Sequence, residues 1–334
     1  MSKVGILGAG TWGIALSRML ANTGHTVTVW SALPDEVKQL DQTRQQKNLP
    51  GMTIPASITF TSDLPAACTD QALLLLAVPS VYVRSTVKQA APFIPAGQLI
   101  VDVAKGLEPD TMLTMTQVIA DELSQLHAPK MRLVALSGPT HAEEVALDLP
   151  TTIVAAADDE EAAKQAQDIF TSSFMRVYTN PDRYGVELCG ALKNIIALAA
   201  GISDGLGYGD NGKAALITRG MTEIKRLGTK LGAHAATFDG LAGIGDLIVT
   251  GTSTHSRNHN CGLLIGQGMS PAAAKKQIGM VVEGINAIPG ALELAAKANV
   301  SMPIVETVDQ VINHGLDPKE AVQQLLNRKK KAEF

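Results

Sequence analysis

Gly8-Ala9-Gly10-Thr11-Trp12-Gly13 (GAGTWG) follows the β-prone run Lys3–Leu7 and leads into an amphipathic stretch, Thr11–Ala21. That stretch sets Ile14, Met19 and Leu20 near one helical face, with Ser17 and Arg18 off it. Asn22-Thr23-Gly24 reads as a helix stop, and His25–Trp30 (HTVTVW) as a second strand. Glycines spaced G-x-G-x-x-G carry little information alone, but a β-α-β unit of about 30 residues is the context that gives them meaning. In that context Gly8 allows the tight turn and Gly10 lets a pyrophosphate approach the backbone. Gly13 lets the helix pack closely on the strand, and the helix N-terminus presents amide donors to the anion. A purely structural glycine turn is the competing reading. An acid about 20 positions on would accept from the adenosine ribose. Ser31 and Ala32 stand there instead, with Asp35 and Glu36 only beyond Pro34 and no Arg to meet a 2′-phosphate. A dinucleotide is therefore expected, with NAD and NADP both open.

The whole chain sets wider bounds. At 334 residues it exceeds what one core usually grows to, so two domains are expected. Hydrophobic residues make up 46% and charged residues 18%, a balance suited to a packed globular protein. A net charge of −4 supplies no electrostatic footprint for nucleic acid. Cys68, Cys189 and Cys261 fall in no C-x-x-C or Cys/His spacing, which argues against a disulfide framework or a zinc site. The seven histidines form no H-x-H or H-E-x-x-H pattern, so no metal is expected. The N-terminus has no signal-peptide h-region, and no charge-free apolar run reaches membrane-spanning length. A cytoplasmic protein without stable membrane association is expected.

Further strands fill the first half. Ala72–Val78 is a continuous apolar run ended by Pro79-Ser80, as befits a strand buried on both faces. QLIVDVAKGLE places Lys105 and Gly106 just past a strand, and RLVALSGPTHAEEV places Ser137–Thr140 past another. In a parallel sheet these ends share one edge, so the glycine turn, Pro79, Lys105 and the SGPT turn should converge on a single crevice. TTIVAAA and MRVYTN extend the sheet, with a helix over Asp159–Phe170 between them.

From Pro181 the strand signals fade. Asp182 can cap a helix through YGVELCGALKNIIALAAGI, in which Lys193 and Asn194 are the strongly polar residues between Leu188 and Gly201. An ammonium inside an apolar helix is desolvated, which lowers its pKa and fits it to exchange a proton with a substrate oxygen. Snorkelling to water is the competing reading. Small neighbours Gly190, Ala191 and Ala197 favour a large group approaching closely. Asp246 sits in the glycine-flanked run GLAGIGDL, as a helix cap or as a functional acid. Ser256-Arg257-Asn258 offers charge, forked donors and short polar groups, a natural grip on a phosphate, or else a solvated turn. Glu283 lies in the apolar VVEGINA, and Arg328–Lys331 reads as a solvated tail. The fold class is thus an α/β Rossmann-type dinucleotide-binding domain over 1–180 and a mostly α-helical substrate domain over 181–334.

GAGTWG, AVPS, KGLE, SGPTHAEE, GALKN, GLAGIGDL, SRN and VVEG, in that order along the chain, resemble the bacterial-type NAD(P)-dependent glycerol-3-phosphate dehydrogenases. The resemblance implies interconversion of dihydroxyacetone phosphate and sn-glycerol 3-phosphate with NAD or NADP, feeding phospholipid synthesis. It also implies that Thr11, Trp12, Lys105, Ala142, Arg257, Val281 and Glu283 contact the cofactor. Lys105, Gly138, Thr140, Lys193, Asp246, Ser256, Arg257 and Asn258 would hold the substrate, with Lys193 as proton acceptor, and the helical half would supply a homodimer interface. Many members carry Arg or His just after the second strand. Ser31-Ala32 departs from that and leaves the cofactor choice open. Rival readings are a β-hydroxy-acid or ketopantoate-type dehydrogenase and a non-catalytic dinucleotide sensor.

Overall fold

The computed structural model describes every residue except Lys331 and Phe334, so the last residue of the expected basic tail lies outside the described residues. The chain divides into two units. The first comprises Met1–Glu108 with Leu113–Glu187, and the second Pro109–Met112 with Leu188–Phe334. From the sequence alone the boundary falls at 180/181. Residues 181–187 group with the first unit because Glu187 accepts from the Thr116 N–H at 2.7 Å and the Thr114 hydroxyl at 3.0 Å, both in that unit.

In the first unit the order is β1 (Lys3–Leu7), α1 (Thr11–Asn22), β2 (Thr26–Trp30), α2 (Pro34–Thr43), β3 (Thr59–Thr61), α3 (Leu64–Cys68) and β4 (Leu73–Leu76). There follow α4 (Val83–Ala90), β5 (Leu99–Asp102), α5 (Met115–Gln125), β6 (Arg132–Ser137), α6 (Ala142–Val145), β7 (Thr151–Ala156), α7 (Glu160–Phe170) and β8 (Met175–Asn180). The strands form one sheet in the order β3-β2-β1-β4-β5-β6-β7-β8. Period-two alternation explains why β4 reads as unbroken leucine. Leu73 and Leu75 join α1 and α7 in one core, while Leu74 and Leu76 join α3, α4 and α5 in the other.

Strands β1 to β6 pair in parallel, but β6 and β7 are antiparallel. The glycine turn, Pro79, Lys105 and the SGPT turn thus follow strands that share one edge, as expected, whereas β7, which extends the sheet, runs the other way and ends at the opposite edge. The physical reason is the connection. Between β6 and β7 the only helix is the single turn α6, whereas β7 and β8, which are parallel, are joined across the eleven-residue α7.

The second unit is helical. After α8 (Arg183–Gly205), whose first five residues belong to the first unit, come α9 (Asp210–Lys230), α10 (Ala235–Phe238), α11 (Asp246–Thr252) and α12 (Arg257–Gly266). It is completed by α13 (Pro271–Ile278), α14 (Glu283–Ala298), α15 (Pro303–Asn313) and α16 (Pro318–Leu326), with no strand among its described residues. Asp182 caps α8, its Oδ1 accepting from the Gly185 N–H at 2.9 Å. Helix α8 is long and apolar enough to cross a membrane, yet its apolar window is wholly buried inside the protein. It meets α12 backbone to backbone. A Cβ added at Gly201 would lie 2.0 Å from the His259 carbonyl oxygen, and one at Gly262 2.1 Å from that of Leu198. From α9, the buried Glu223 accepts the Ile304 N–H at 3.0 Å with each carboxylate oxygen, capping α15. Burial outweighs these bonds and pushes its carboxyl up to about 7.

Candidate active site

In the first unit the glycine turn is built as its spacing predicts. Gly8 has φ +125°, a conformation open to glycine, and a Cβ there would lie 2.6 Å from the Ala77 carbonyl oxygen of the AVPS segment. At Gly13 a Cβ would lie 2.3 Å from the Gly8 oxygen, so α1 rests directly on the turn. At Gly10 a Cβ would meet nothing within 4 Å. No protein atom requires that glycine, and the space is what a close-lying ligand fills. Gly10 is also the N-cap of α1 and provides no side-chain acceptor, so the first amides of the helix are not capped from that position and are of the kind that can serve an anion. The residues present fit a dinucleotide pyrophosphate.

Around this turn, the Thr11 hydroxyl accepts from the Asn48 amide at 3.1 Å, and Trp12 and Ala142 pack partly buried against the same core. Lys105 Nζ donates to the Gly138 carbonyl at 3.0 Å, and the Thr140 hydroxyl donates to the same oxygen at 3.2 Å. Lys105, Gly138 and Thr140 are thus drawn together from the ends of β5 and β6. The turn before Lys105 is held by Asp102, whose Oδ2 accepts from the Ala104 N–H at 3.1 Å. Burial foremost, and then the charge of Glu187, holds the Asp102 carboxyl well above the usual carboxylate range. At the end of β2, Ser31 is buried, and its hydroxyl donates to Glu36 at 2.5 Å.

In the second unit Lys193 is 3% exposed and Asp246 1% exposed, so the lysine does not snorkel. Its Nζ donates to Asp246 Oδ1 at 2.7 Å and to the Thr250 hydroxyl at 2.5 Å. The Thr250 hydroxyl in turn donates to the Asp246 carbonyl at 2.6 Å. The sequence reading considered desolvation alone. The structure adds a carboxylate counter-ion at contact distance from the amine. Asp246 opens α11 directly after a kinked segment, Leu241–Gly245, in which Gly243 leaves helical backbone geometry (φ −96°, ψ −108°) and a Cβ on it would lie 2.1 Å from the Phe238 oxygen.

The other motifs of this unit are stitched to the same turn of α8. Asn194, next to Lys193, accepts from the Asn258 amide at 3.0 Å, and Asn258 Oδ1 accepts from the Gly284 N–H at 2.8 Å. Arg257 donates one N–H to the Val281 carbonyl at 3.1 Å and stays exposed, while Glu283 starts α14 partly buried. Ser256 is the N-cap of α12, its Oγ accepting from the His259 N–H at 3.2 Å. The sequence marks Asn194 only as a polar neighbour of Lys193, and gives no role to Thr250 or Asn48. The signal for Thr250 was its i+4 spacing from Asp246 on one helical face; Asn48 carried none. Among the described residues no group of three or more metal-ligating side chains is present.

Comparison with known proteins follows the same division. The family model for the NAD-dependent glycerol-3-phosphate dehydrogenase N-terminus matches residues 3–163, and that for its C-terminus residues 182–323. Glycerol-3-phosphate dehydrogenase [NAD(P)+] 2 of Lactobacillus delbrueckii subsp. bulgaricus is 65% identical over 336 residues, spanning 100% of this chain and 99% of that one. The chain belongs to the NAD-dependent glycerol-3-phosphate dehydrogenase family. Another glycerol-3-phosphate dehydrogenase [NAD(P)+], from Bacillus subtilis, is 47% identical over 335 residues, covering 100% of this chain and 96% of its own. The crystal structure of glycerol-3-phosphate dehydrogenase from Coxiella burnetii superposes with TM-score 0.92 at 38% identity, over 98% of this chain and 99% of that one. A ketopantoate reductase from Ralstonia eutropha shares the fold at TM-score 0.62 and 18% identity, covering 96% of this chain and 99% of its own. That likeness stops at the fold, whereas membership of the glycerol-3-phosphate dehydrogenase family rests on both units.

Proposed function

We propose that this chain catalyses the NAD(P)-dependent interconversion of dihydroxyacetone phosphate and sn-glycerol 3-phosphate, with Lys193 as the group that gives and takes the proton. The observation that carries the reading is a buried ammonium, bonded to Asp246 and Thr250, in a chain of this family. The bound nicotinamide supplies or accepts the hydride at C2. In reduction Lys193 gives its proton to the C2 oxygen as charge develops there; in oxidation the neutral amine takes it back. Asp246 and Thr250 hold that nitrogen in one place. Lys105 adds positive charge toward the developing oxyanion, its position set by Gly138. Gly138 and Thr140 hold the substrate beside it.

Arg257 spends one of its five N–H groups on Val281 and has four left for a phosphate. Ser256 retains its hydroxyl proton and Asn258 one amide hydrogen for the same anion. Phosphate binding energy then positions the carbonyl for transfer. Gly8, Gly10, Thr11, Trp12 and Gly13 carry the pyrophosphate, and Ala142, Val281 and Glu283 complete the cofactor contacts. This reading places the enzyme in the cytoplasm, where its three buried free cysteines stay reduced. It also makes the enzyme a homodimer, consistent with an apolar groove of about 1010 Å³ that includes Ile202, Leu216, Val308 and Val311. Sedimentation tests the dimer.

The activity test follows absorbance at 340 nm with dihydroxyacetone phosphate, ketopantoate or no substrate, each with NADH and NADPH. Turnover with dihydroxyacetone phosphate alone is expected. Oxidation with ketopantoate instead, or with neither, overturns the proposal.

A further inference from the structure

We propose that Glu36 selects the unphosphorylated dinucleotide, standing in for the acid that the sequence lacks at the end of β2. The proposal rests on the reading of the glycine turn as the dinucleotide site. Leu7 pairs with Trp30, and the Gly8 N–H donates to the Trp30 carbonyl at 2.9 Å, so the turn lies beside the end of β2. In β-α-β dinucleotide folds the adenosine ribose sits at this second strand end, where an acid accepts from its 2′-hydroxyl.

The chain meets that need by folding back. The Ser31 hydroxyl accepts from the Leu33 N–H at 3.2 Å and donates to Glu36 Oε2 at 2.5 Å. Both capacities of the hydroxyl are used, and the carboxylate of the first turn of α2 is tied to the strand end. Glu36 Oε1 has no partner among the described residues, and Glu36 is partly exposed, so it can accept from a ribose hydroxyl.

The surrounding charges disfavour a 2′-phosphate. Asp35 is exposed in the same helical turn as Glu36. Lys38 lies two positions on from Glu36, about 200° round the helix. Arg44 is committed to Asp41 at 2.6 Å and to the Ile58 carbonyl at 2.7 Å, and lies over the Phe60 ring. Lys47 adjoins Asn48, which bonds Thr11 at the start of α1 rather than the first turn of α2. A phosphate at the ribose 2′ position would therefore face the Glu36 carboxylate with no uncommitted guanidinium in α2 or the loop that follows. Even with the full screening of bulk water, a near-dianionic phosphate about 4 Å from one carboxylate corresponds to roughly 30-fold in affinity.

Calorimetric titration of the full chain with NAD+ and with NADP+, at two salt concentrations, tests this without turnover. Wild type is expected to bind NAD+ about ten- to hundredfold more tightly, with the ratio shrinking at high salt. Glu36→Gln should narrow the ratio chiefly by improving NADP+, and Ser31→Ala should weaken NAD+ several-fold by releasing the carboxylate. Equal affinities in wild type, or a ratio untouched by Glu36→Gln, overturns the proposal. Failure of both dinucleotides to bind wild type instead overturns the glycine-turn reading, and this proposal with it.

Discussion

Replacing Lys193 by Met keeps the length and shape of the side chain and removes its charge. The partners are 3% and 1% exposed, so solvent does not screen what is lost. Asp246 would lose the 2.7 Å bond from Lys193 and with it the positive charge beside Oδ1, where the Thr250 hydroxyl lies at 3.2 Å. Breaking a buried pair from one side costs about 3–5 kcal/mol, because the remaining charge stays desolvated. Replacing both partners by apolar residues of similar volume is close to neutral. Lys193→Met should therefore lower unfolding stability by about 3–5 kcal/mol, and adding Asp246→Leu should recover most of it. Urea unfolding followed by circular dichroism measures both, with the midpoint of the helical transition as readout. Both variants should lose catalysis by at least about a thousandfold, since stability returns in the double variant and the proton donor does not. The reasoning is refuted if Lys193→Met is as stable as wild type, or if either variant keeps turnover within tenfold.

Arg257→Ala removes the exposed guanidinium and should raise KM for dihydroxyacetone phosphate about 10–100-fold, the worth of one or two charge-assisted bonds; steady-state kinetics with an unchanged KM would contradict it. Gly10→Ala fills open space, so thermal unfolding should show a loss of no more than about 1 kcal/mol while dinucleotide affinity falls at least tenfold. Gly13→Ala is the contrast, because its Cβ would lie 2.3 Å from the Gly8 oxygen, and the first unit should be visibly destabilised in the same melt. Glu223 predicts a pH dependence. Its carboxyl is raised from 4.5 to about 7, so between these values the folded chain binds more protons than the unfolded one. Stability should then fall as pH rises through that window, by up to about 3 kcal/mol. Glu223→Gln should flatten the slope in urea midpoints measured from pH 5 to 8.

Features that local chemistry dictates were legible in the sequence. The glycine spacing, the leucine run of β4 and the loss of strand signals after Pro181 each follow from residue type and period. Direction was not legible: nothing in TTIVAAA marks β7 as running against β6, because alternation is the same either way and the short α6 connection decides it. Edge strand β3, three residues long, carries too few residues to show a period. Candidate residues of the second unit were legible as motifs, and the resemblance already assigns Asp246 to orient Lys193 or a substrate hydroxyl, but Thr250 as a further partner of the amine was not legible. Lys193 and Asp246 are 53 positions apart, and only the fold brings a counter-ion to the amine. In the sequence Glu36 lies beyond Pro34, away from the strand end, yet a helix beginning at that proline returns its first turn to the strand it has just left.

The glycine-paved crossing of α8 and α12 has a consequence for how this sequence can drift. Each of Gly201, Gly205, Gly262 and Gly266 faces a carbonyl or Cα of the opposite helix at a distance no methyl group tolerates. The two rods are keyed like a zip whose teeth are missing atoms rather than present ones. A single inserted residue in either rod would turn the bare positions away and present branched side chains to bare backbone. Insertions and deletions should therefore collect in the loops flanking this crossing, leaving the spacing between Lys193 and Gly205 fixed while their surroundings vary.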